Sequence, residues 1–206
     1  MVREQIRRRG LDDPRLLGAF DDVPRHLFVP EPSRFAAYDD TPLPIGCGQT
    51  ISQPYIVALM TGLLELRGSE RVLEVGTGSG YQAAILARLV GEVHTVEYVP
   101  ELAERAATLL HQLGCLNVYV HTGDGSLGWL ESAPYESILV TAAAPQVPPP
   151  LFEQLADHGK LVAPVASQGD YQLLKVFTRH DQEFEERVVT SVAFVPLRGK
   201  FGRKEF

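Results

Sequence analysis

Cysteine is scarce in this sequence of 206 residues, which contains only Cys47 and Cys115. Two cysteines are too few for a disulfide framework, and neither lies in a CxxC or CxxH spacing, so we expect no structural zinc or other metal site. Long apolar runs are missing as well. No stretch approaches the roughly 18 residues of a membrane helix, and the charged N-terminus lacks the apolar segment of a secretory signal. We therefore expect a cytoplasmic protein with reduced thiols.

Basic residues are outnumbered in this chain. The 19 Lys and Arg residues stand against 26 Asp and Glu residues, which gives a formal net charge of −7. An acidic chain is a poor general binder of nucleic acid and of anionic membranes, so we expect neither as a partner. Hydrophobic residues make up 45% and charged residues 22%, as in a soluble globular protein. The length is enough for one α/β domain with a short appendage.

The sequence pattern changes near residue 70. Over residues 1–66 a helical periodicity is interrupted by prolines, and residues 39–54 contain too much proline and glycine for a helix. We expect a long ordered loop or strand-like segment there, which could close over the site as a lid. A helix follows, with Ser52 as its N-cap and Pro54 in its first turn. A second helix is expected over residues 11–20, where Asp12-Asp13-Pro14 signals an N-terminus.

From residue 70 onward, predicted strands alternate with predicted helices, which indicates a parallel sheet covered by helices on both faces. The last two strands follow each other without a helix and should form an antiparallel hairpin. The fold class is therefore α/β, a doubly wound and mostly parallel sheet with an antiparallel C-terminal hairpin and an N-terminal helical and loop extension. We divide the chain into this extension, residues 1–66, and an α/β domain, residues 67–206, which together form one compact unit. The predicted strands cover residues 71–75, 92–97, 117–121, 135–141, 159–165, 171–179 and 187–196, and the helices between them cover residues 81–89, 101–113 and 151–156.

A glycine-rich turn joins the first strand of this sheet to the next helix, with the sequence Val72-Leu73-Glu74-Val75-Gly76-Thr77-Gly78-Ser79-Gly80-Tyr81. Such a turn lets a ligand approach the main chain closely, although it can also serve only to pack a helix on a strand. Its third glycine comes one residue earlier than in the dinucleotide fingerprint, which disfavours a nicotinamide-dependent dehydrogenase. No Lys-Ser or Lys-Thr pair follows, so the turn is not a P-loop either.

Three acids lie at the ends of adjacent predicted strands: Glu74, Glu97 and Asp124. Glu97 can accept hydrogen bonds from both ribose hydroxyls of a nucleoside, and Asp124 can accept one from the exocyclic amine of adenine. Each acid alone could equally be a solvated strand end. Together they suit a nucleoside that carries positive charge rather than phosphate, and S-adenosylmethionine with its sulfonium matches.

The sequence resembles the protein-L-isoaspartate (D-aspartate) O-methyltransferases, in the class I S-adenosylmethionine-dependent group, over nearly the whole chain. Many methyltransferases share the glycine turn, whereas Gln49-Thr50-Ile51-Ser52-Gln53-Pro54 is highly specific to this family. The matching segments are residues 23–30, 43–54, 73–81, 123–125, 141–145 and 195–198.

The resemblance implies a Rossmann-like methyltransferase fold and a protein repair activity. Members of this family methylate the α-carboxyl of L-isoaspartyl and D-aspartyl residues in damaged proteins and peptides. S-adenosylhomocysteine is the second product, and the methyl ester collapses to a succinimide. Ser52 matches the active-site serine. On this basis we expect the cofactor to contact Gln49, Thr50, Ile51, Glu74, Gly76, Thr77, Gly78, Gly80, Glu97, Tyr98, Asp124 and Gly125, and the substrate to contact Ser52, Gln53, Tyr55, Val147, Leu197 and Arg198.

The chemistry of this reaction agrees with the residue inventory. A carboxylate with a pKa near 4 is ionised at pH 7 and needs no general base to attack a sulfonium methyl group. The enzyme must supply alignment in a site that excludes water, and Ser52 can hydrogen-bond one carboxylate oxygen. Simpler interpretations exist: from spacing alone Ser52 is a helix cap, Tyr55 a packing residue and Arg198 part of a solvated tail. The six histidines are scattered and are interpreted as ordinary surface or core residues.

Two other functions stay open at this point. One is a class I methyltransferase that acts on a small molecule or a nucleic acid, and the other is a catalytically silent cofactor-binding module. The net charge of −7 argues against nucleic acid, and the segment at residues 49–54 argues against a generic small-molecule enzyme. We expect the enzyme to be a monomer.

Overall fold

The first third of the chain is a helical and loop extension. The computed structural model describes residues 1–167 and 171–202. In the extension, short helical turns at residues 2–9, 25–28 and 31–36 alternate with longer elements. These longer elements are helix α1 (Pro14–Asp22), the antiparallel strands β1 (Leu43–Gly46) and β2 (Gln49–Ile51), and helix α2 (Pro54–Leu63).

The two helices of the extension begin in different ways. Helix α1 begins at the predicted Asp12-Asp13-Pro14 signal, although at Pro14 instead of residue 11, because the side chain of Asp13 accepts a hydrogen bond from Arg15 N–H at 2.8 Å. The prediction that Ser52 caps α2 is wrong: the N-cap is Gln53, and its side chain makes no capping hydrogen bond. A carboxylate from the preceding loop replaces the serine, since Asp40 Oδ1 accepts the N–H of Tyr55 at 3.1 Å.

A seven-stranded sheet forms the middle layer of the molecule, in the order β5-β4-β3-β6-β7-β8-β9. The first five strands of this order run parallel, and β8 and β9 join them antiparallel, so the predicted fold class is confirmed. The strands are β3 (Arg71–Val75), β4 (Glu92–Glu97), β5 (Val118–Thr122), β6 (Tyr135–Val140), β7 (Leu155–Ala166), β8 (Gln172–His180) and β9 (Glu183–Val192). The helices between them are α3 (Tyr81–Ala87), α4 (Pro100–Gln112) and α5 (Pro149–Glu153).

Several boundaries differ from the predicted ones, most clearly at α5 and at the last strand. Helix α5 ends earlier than predicted, because Leu155 already pairs with Tyr135 in the sheet. The last strand begins at Glu183 instead of residue 187, because only Asp181 and Gln182 separate β8 from β9. Asp181 has a φ of 55°, which lets the chain reverse within two residues.

The sheet has a hydrophobic layer on each face. On one face Val72, Val93 and Leu139 pack with residues of α1 to α4, and the extension contributes Phe20 and Met60 to this same layer. Leu73, Val75, Val96, Ile138, Val140, Leu151 and Leu161 form the layer on the other face. Burial of each such side chain stabilises the fold by about 1.5–3 kcal/mol. The extension and the sheet thus share one core, and the division at residue 66 stays a prediction.

Within the described part of the chain, the outermost strand β9 pairs with β8 alone, and it is rich in charged residues. Glu183, Glu185, Glu186 and Arg187 are all exposed, and Lys175 of β8 forms an ion pair with Glu186 at 2.6 Å. In the described residues, no helix combines the length and the apolar character needed to cross a membrane.

Candidate active site

A cleft opens at the carboxyl-terminal ends of β3, β4 and β6, where open α/β sheets bind ligands. The space between its walls is about 840 Å³, part of which is open solvent. Three segments meet there: the glycine turn after β3, the chain that leads from β2 into α2, and the chain that follows β9. Among the sequence-predicted site residues, those that line the cleft are Gln49, Thr50, Ile51, Ser52, Gly76, Thr77, Gly78, Glu97, Tyr98, Leu197 and Arg198.

The glycine turn needs glycine for two separate reasons. Gly76, Gly78 and Gly80 have φ values of 99°, 55° and 86°, a region that other residues rarely adopt. A Cβ on Gly76 would also lie 2.4 Å from Thr141 Oγ1. The hydroxyl of Thr141 donates a hydrogen bond to the carbonyl of Gly76 at 2.6 Å, which fixes the turn to the end of β6. The backbone of the turn is therefore held open toward the cleft.

Glu97 holds its carboxylate beside this turn. Its Oε2 atom accepts a hydrogen bond from Gly78 N–H at 2.8 Å, and its Oε1 atom accepts one from Val99 N–H at 2.9 Å. Each carboxylate oxygen has further acceptor capacity, so the group can still accept hydrogen bonds from a bound molecule. The side chain is only 6% exposed, which strengthens such bonds.

Glu74 lies behind the turn and does not line the cleft. It is fully buried, its Oε2 atom accepts a hydrogen bond from the Thr95 hydroxyl at 2.5 Å, and its Oε1 atom has no partner among the described residues. Burial, and to a smaller extent the nearby charge of Glu97, raises the pKa of Glu74 to about 8, although the Thr95 hydroxyl opposes the shift. At pH 7 Glu74 is therefore mostly a neutral acid and does not add a negative charge to the site.

Asp124 ties two loops together. Its Oδ1 atom accepts hydrogen bonds from the N–H and the hydroxyl of Ser126, at 2.9 and 2.6 Å. Its Oδ2 atom accepts the N–H of Lys200 at 2.8 Å, and Phe201 N–H donates to the Ser126 hydroxyl at 3.1 Å. The neighbouring Gly125 is buried against Val75, where a Cβ would meet a side-chain atom at 2.8 Å. The carboxylate therefore holds the chain after β9 against the loop that follows β5.

Ser52 lines the cleft between the hairpin and α2. Its hydroxyl makes no hydrogen bond within the described part of the chain, so this group is available to a ligand. Its backbone carbonyl accepts a hydrogen bond from Arg25 Nη2 at 2.7 Å, and Arg25 Nε donates to the carbonyl of Ala37 at 2.8 Å. Sequence reasoning missed Arg25. Its signal was an arginine set among apolar residues in the segment Val23-Pro24-Arg25-His26-Leu27-Phe28.

The other predicted substrate residues are divided between the cleft and its surroundings. Leu197 reaches the cleft because its N–H donates to the carbonyl of Ala143 at 2.8 Å, at the end of β6. Gln53 and Tyr55 lie outside the cleft lining. Gln53 Nε2 is 3.5 Å from Asp40 Oδ2. The guanidinium of Arg9 stacks over the Tyr55 ring, with its Cζ atom 3.2 Å from the ring centroid.

Val147 and Gly80 are two further predicted residues that lie outside the cleft lining. Val147 is 8% exposed and packs in the core on the second face of the sheet. Gly80 is the N-cap of α3, and a Cβ there would contact Ala106 and Leu110 of α4 at 3.3 Å. Both positions thus support the walls of the site from behind.

Two histidines meet on neighbouring strands, a pairing that their spacing in the sequence does not reveal. His94 Nδ1 lies 3.0 Å from His121 Nε2, and His94 Nε2 lies 3.0 Å from Glu92 Oε1. Burial, together with the neighbouring His94, lowers the pKa of His121 to about 4. The pair lies outside the cleft lining. No group of three His, Cys, Asp or Glu side chains suited to a metal ion occurs in the residues that the structure describes.

Comparisons with known proteins agree on one family. Residues 1–202 match the model of the protein-L-isoaspartate(D-aspartate) O-methyltransferase family. A protein-L-isoaspartate O-methyltransferase of Geobacter metallireducens is 54% identical over 202 residues, which cover 98% of this chain and 94% of that protein. Protein-L-isoaspartate O-methyltransferase 2 of Shewanella sediminis is 52% identical over 199 residues, 97% of this chain and 82% of that protein.

Solved structures give the same result. One protein-L-isoaspartate O-methyltransferase superimposes with a TM-score of 0.89 at 30% identity and covers 98% of this chain and 67% of its own. A beta-aspartate methyltransferase from Plasmodium falciparum, solved in complex with S-adenosyl-L-homocysteine, gives a TM-score of 0.83 at 26% identity. That comparison covers 96% of both chains.

Proposed function

This chain belongs to the protein-L-isoaspartate(D-aspartate) O-methyltransferase family, and from this premise we propose how its residues divide the work of the reaction. It is an S-adenosylmethionine-dependent methyltransferase that acts on isoaspartyl residues of proteins. We propose that the α/β domain, residues 67–206, holds the cofactor. The extension, residues 1–66, supplies the serine that meets the substrate.

The residues at the cleft fit the cofactor. The glycine turn lines the cleft with backbone at positive φ, which other residues rarely adopt, and Glu97 presents a fixed carboxylate beside it. We assign the ribose hydroxyls to Glu97, and the methionine end of the cofactor to Gly76, Thr77 and Gly78. When bound, S-adenosylmethionine supplies an electrophilic methyl group.

Four of the residues assigned to the cofactor lie outside the cleft lining and stabilise the loops and helices that form the cleft. Glu74 lies behind the turn, and Asp124 orders the loop on the adenine side, where Gly125 leaves room for the β3 core. Gly80 allows α3 to pack closely on α4. The remaining contacts that we assign to the cofactor are Gln49, Thr50, Ile51 and Tyr98, which line the same cleft.

Ser52 is the residue that we assign to the reacting carboxylate. An isoaspartyl α-carboxylate is already ionised at pH 7, so the protein has no proton to remove from it. The Ser52 hydroxyl can donate a hydrogen bond to one carboxylate oxygen and leave the other free to attack. Alignment in a site that excludes water is the main contribution expected of the protein.

Peptide recognition is assigned to residues around Ser52. Leu197 and Arg198, in the chain after β9, also line the cleft, so they can contact the peptide backbone. Gln53, Tyr55 and Val147 act from outside the cleft lining and shape its rim and walls. Replacement of Arg198 by Ala should raise the KM for an isoaspartyl peptide, and an unchanged KM would remove Arg198 from this role.

The working state of the enzyme is a further part of the proposal. We propose a cytoplasmic monomer that binds neither nucleic acid nor membranes, supported by the net charge of −7 and by two free thiols, Cys47 and Cys115. Sedimentation equilibrium measures the oligomeric state directly. A concentration-independent mass of one chain is expected, and a dimer at micromolar concentration would contradict it.

The observation that carries the proposed site is the meeting of Ser52 with the glycine turn in one cleft. The test uses labelled S-adenosylmethionine with paired peptides that contain either isoaspartate or normal aspartate at the same position. Label should enter the isoaspartyl peptide alone and should leave it as the ester collapses. Equal labelling of both peptides, or labelling of neither, would refute the assignment.

A further inference from the structure

Arg25 is a buried cation without a carboxylate partner. Its side chain is 0% exposed, and it donates hydrogen bonds to the carbonyl oxygens of Ala37 and Ser52. Its Nη1 atom is buried and has no hydrogen-bond partner, and no salt bridge joins Arg25 to an acid within residues 1–167 and 171–202. Burial lowers the pKa of Arg25, yet a guanidinium stays charged at neutral pH. Such an uncompensated buried charge is strongly unfavourable and calls for an anion.

Arg25 lies directly behind the wall of the cleft. Its Cζ atom is 4.8 Å from the centroid of the Tyr81 ring, and its Nη2 atom contacts the carbonyl of Ser52. Both Tyr81 and Ser52 line the cleft. The buried Tyr81 hydroxyl interacts with Arg25, but burial raises its pKa, so it stays neutral and does not compensate the charge of the guanidinium. A positive charge that no carboxylate pairs with, among the described residues, therefore lies on the Ser52 side of the cleft.

The nearest acid does not neutralise this charge. Asp40 affects Arg25 only through space, because its Oδ2 atom forms an ion pair with Arg9 at 2.9 Å and its Oδ1 atom accepts the N–H of Tyr55. The charge of Arg25 thus acts on the cleft from directly behind Ser52 and Tyr81, and the low dielectric of the interior strengthens its effect.

We propose that Arg25 is a positioning residue for the methyl-accepting carboxylate: it fixes the backbone of Ser52 and makes the Ser52 side of the cleft favour an anion over a neutral group. This inference rests on the proposed role of Ser52. It also has a consequence for turnover, because methylation converts an anionic substrate into a neutral ester. The product loses the attraction that bound the substrate, which favours its release.

Binding measurements with a matched pair of peptides test this inference. One isoaspartyl peptide carries a free α-carboxylate and the other an α-carboxamide, and both are titrated into the enzyme saturated with S-adenosylhomocysteine. The wild type should prefer the carboxylate. Arg25→Met should reduce this preference about 10-fold or more, with unchanged affinity for S-adenosylhomocysteine, whereas Arg25→Lys should keep most of it.

Arg15→Met is the control variant. Arg15 belongs to the same extension and also donates to two backbone carbonyls, those of Leu66 and Leu89, but it does not line the cleft. The control should keep the full carboxylate preference. Equal weakening of both peptides in Arg25→Met would show a merely structural role and overturn the inference.

Three further outcomes are decisive. If Arg25→Met does not fold, Arg25→Lys decides alone: a carboxylate preference close to that of the wild type supports the inference, and its loss overturns it. If the wild type itself does not prefer the carboxylate, the assignment of Ser52 fails together with that of Arg25. A normal wild-type preference that survives in Arg25→Met overturns the role of Arg25 only.

Discussion

The buried acid behind the glycine turn gives the most quantitative prediction. Glu74 takes up a proton on folding, because its pKa rises from an ordinary value of 4.5 to about 8 in the folded chain. Replacement by Gln keeps the shape of the side chain and an acceptor for the Thr95 hydroxyl, but removes the titration. We therefore expect Glu74→Gln to change how stability depends on pH.

The sign follows from proton linkage. Between pH 4.5 and 8 the folded state holds a proton that the unfolded state has released, so the stability that Glu74 contributes is complete below pH 4.5 and is lost as the pH rises through 8. From these two pKa values the wild type should lose about 3 kcal/mol of unfolding free energy between pH 5 and 8 relative to Glu74→Gln. Most of this loss should already be present at pH 7.

Urea unfolding of both variants at several pH values between 5 and 8, without cofactor, measures this difference. Glu70→Gln is the control. Burial opposes ionisation of Glu70, but hydrogen bonds from the N–H groups of Arg67 and Gly68 hold its pKa below the ordinary value, so its substitution should have an effect that does not vary over this range. A pH-independent difference between wild type and Glu74→Gln would refute the reasoning.

Three further predictions concern the cleft. Ser52→Ala should lower kcat by about 10- to 100-fold while cofactor affinity stays unchanged, as expected for the loss of one orienting hydrogen bond; loss of cofactor binding, measured by calorimetry, would make Ser52 mainly structural. Glu97→Ala should weaken cofactor binding by about 1–3 kcal/mol, and an unchanged dissociation constant would contradict its assignment. Gly76→Ala should destabilise the fold by about 2 kcal/mol or more, because its φ is 99° and the new Cβ would meet Thr141 Oγ1 at 2.4 Å. The control is Gly114→Ala, at a position with a φ of 71° and open space around it, which should lower the free energy of unfolding by only about 1 kcal/mol. Thermal unfolding of both glycine variants measures the difference, and equal destabilisation would contradict the prediction.

The fold was largely predictable because its signals are local. Alternating apolar strands and helices indicate a parallel sheet, and β3, β4 and β6 lie within one residue of their predicted positions. The cap of α2 was not predictable in the same way. The group that satisfies its first free N–H comes from Asp40, 15 residues earlier in the chain, and sequence spacing does not show this contact.

The candidate site was predictable in its residues but less in their environments. Glu74, Glu97 and Asp124 all follow the strand pattern, yet one is buried as a neutral acid, one faces the cleft and one holds a loop. The burial of Glu74 depends on the complete fold. The residue lies one position before the end of β3, and residues from other parts of the chain cover its side chain. Arg25 was missed for the same reason: its unpaired charge becomes visible only when the extension packs behind Ser52.

The charged outer strand β9 matters for a protein whose substrates are damaged polypeptides. Partly unfolded chains expose backbone donors and acceptors that can add to an open sheet edge and start aggregation. Exposed Glu183, Glu185, Glu186 and Arg187 make addition of a foreign strand at this edge unfavourable. A repair enzyme can thus meet aggregation-prone clients at its cleft without being recruited into their deposits.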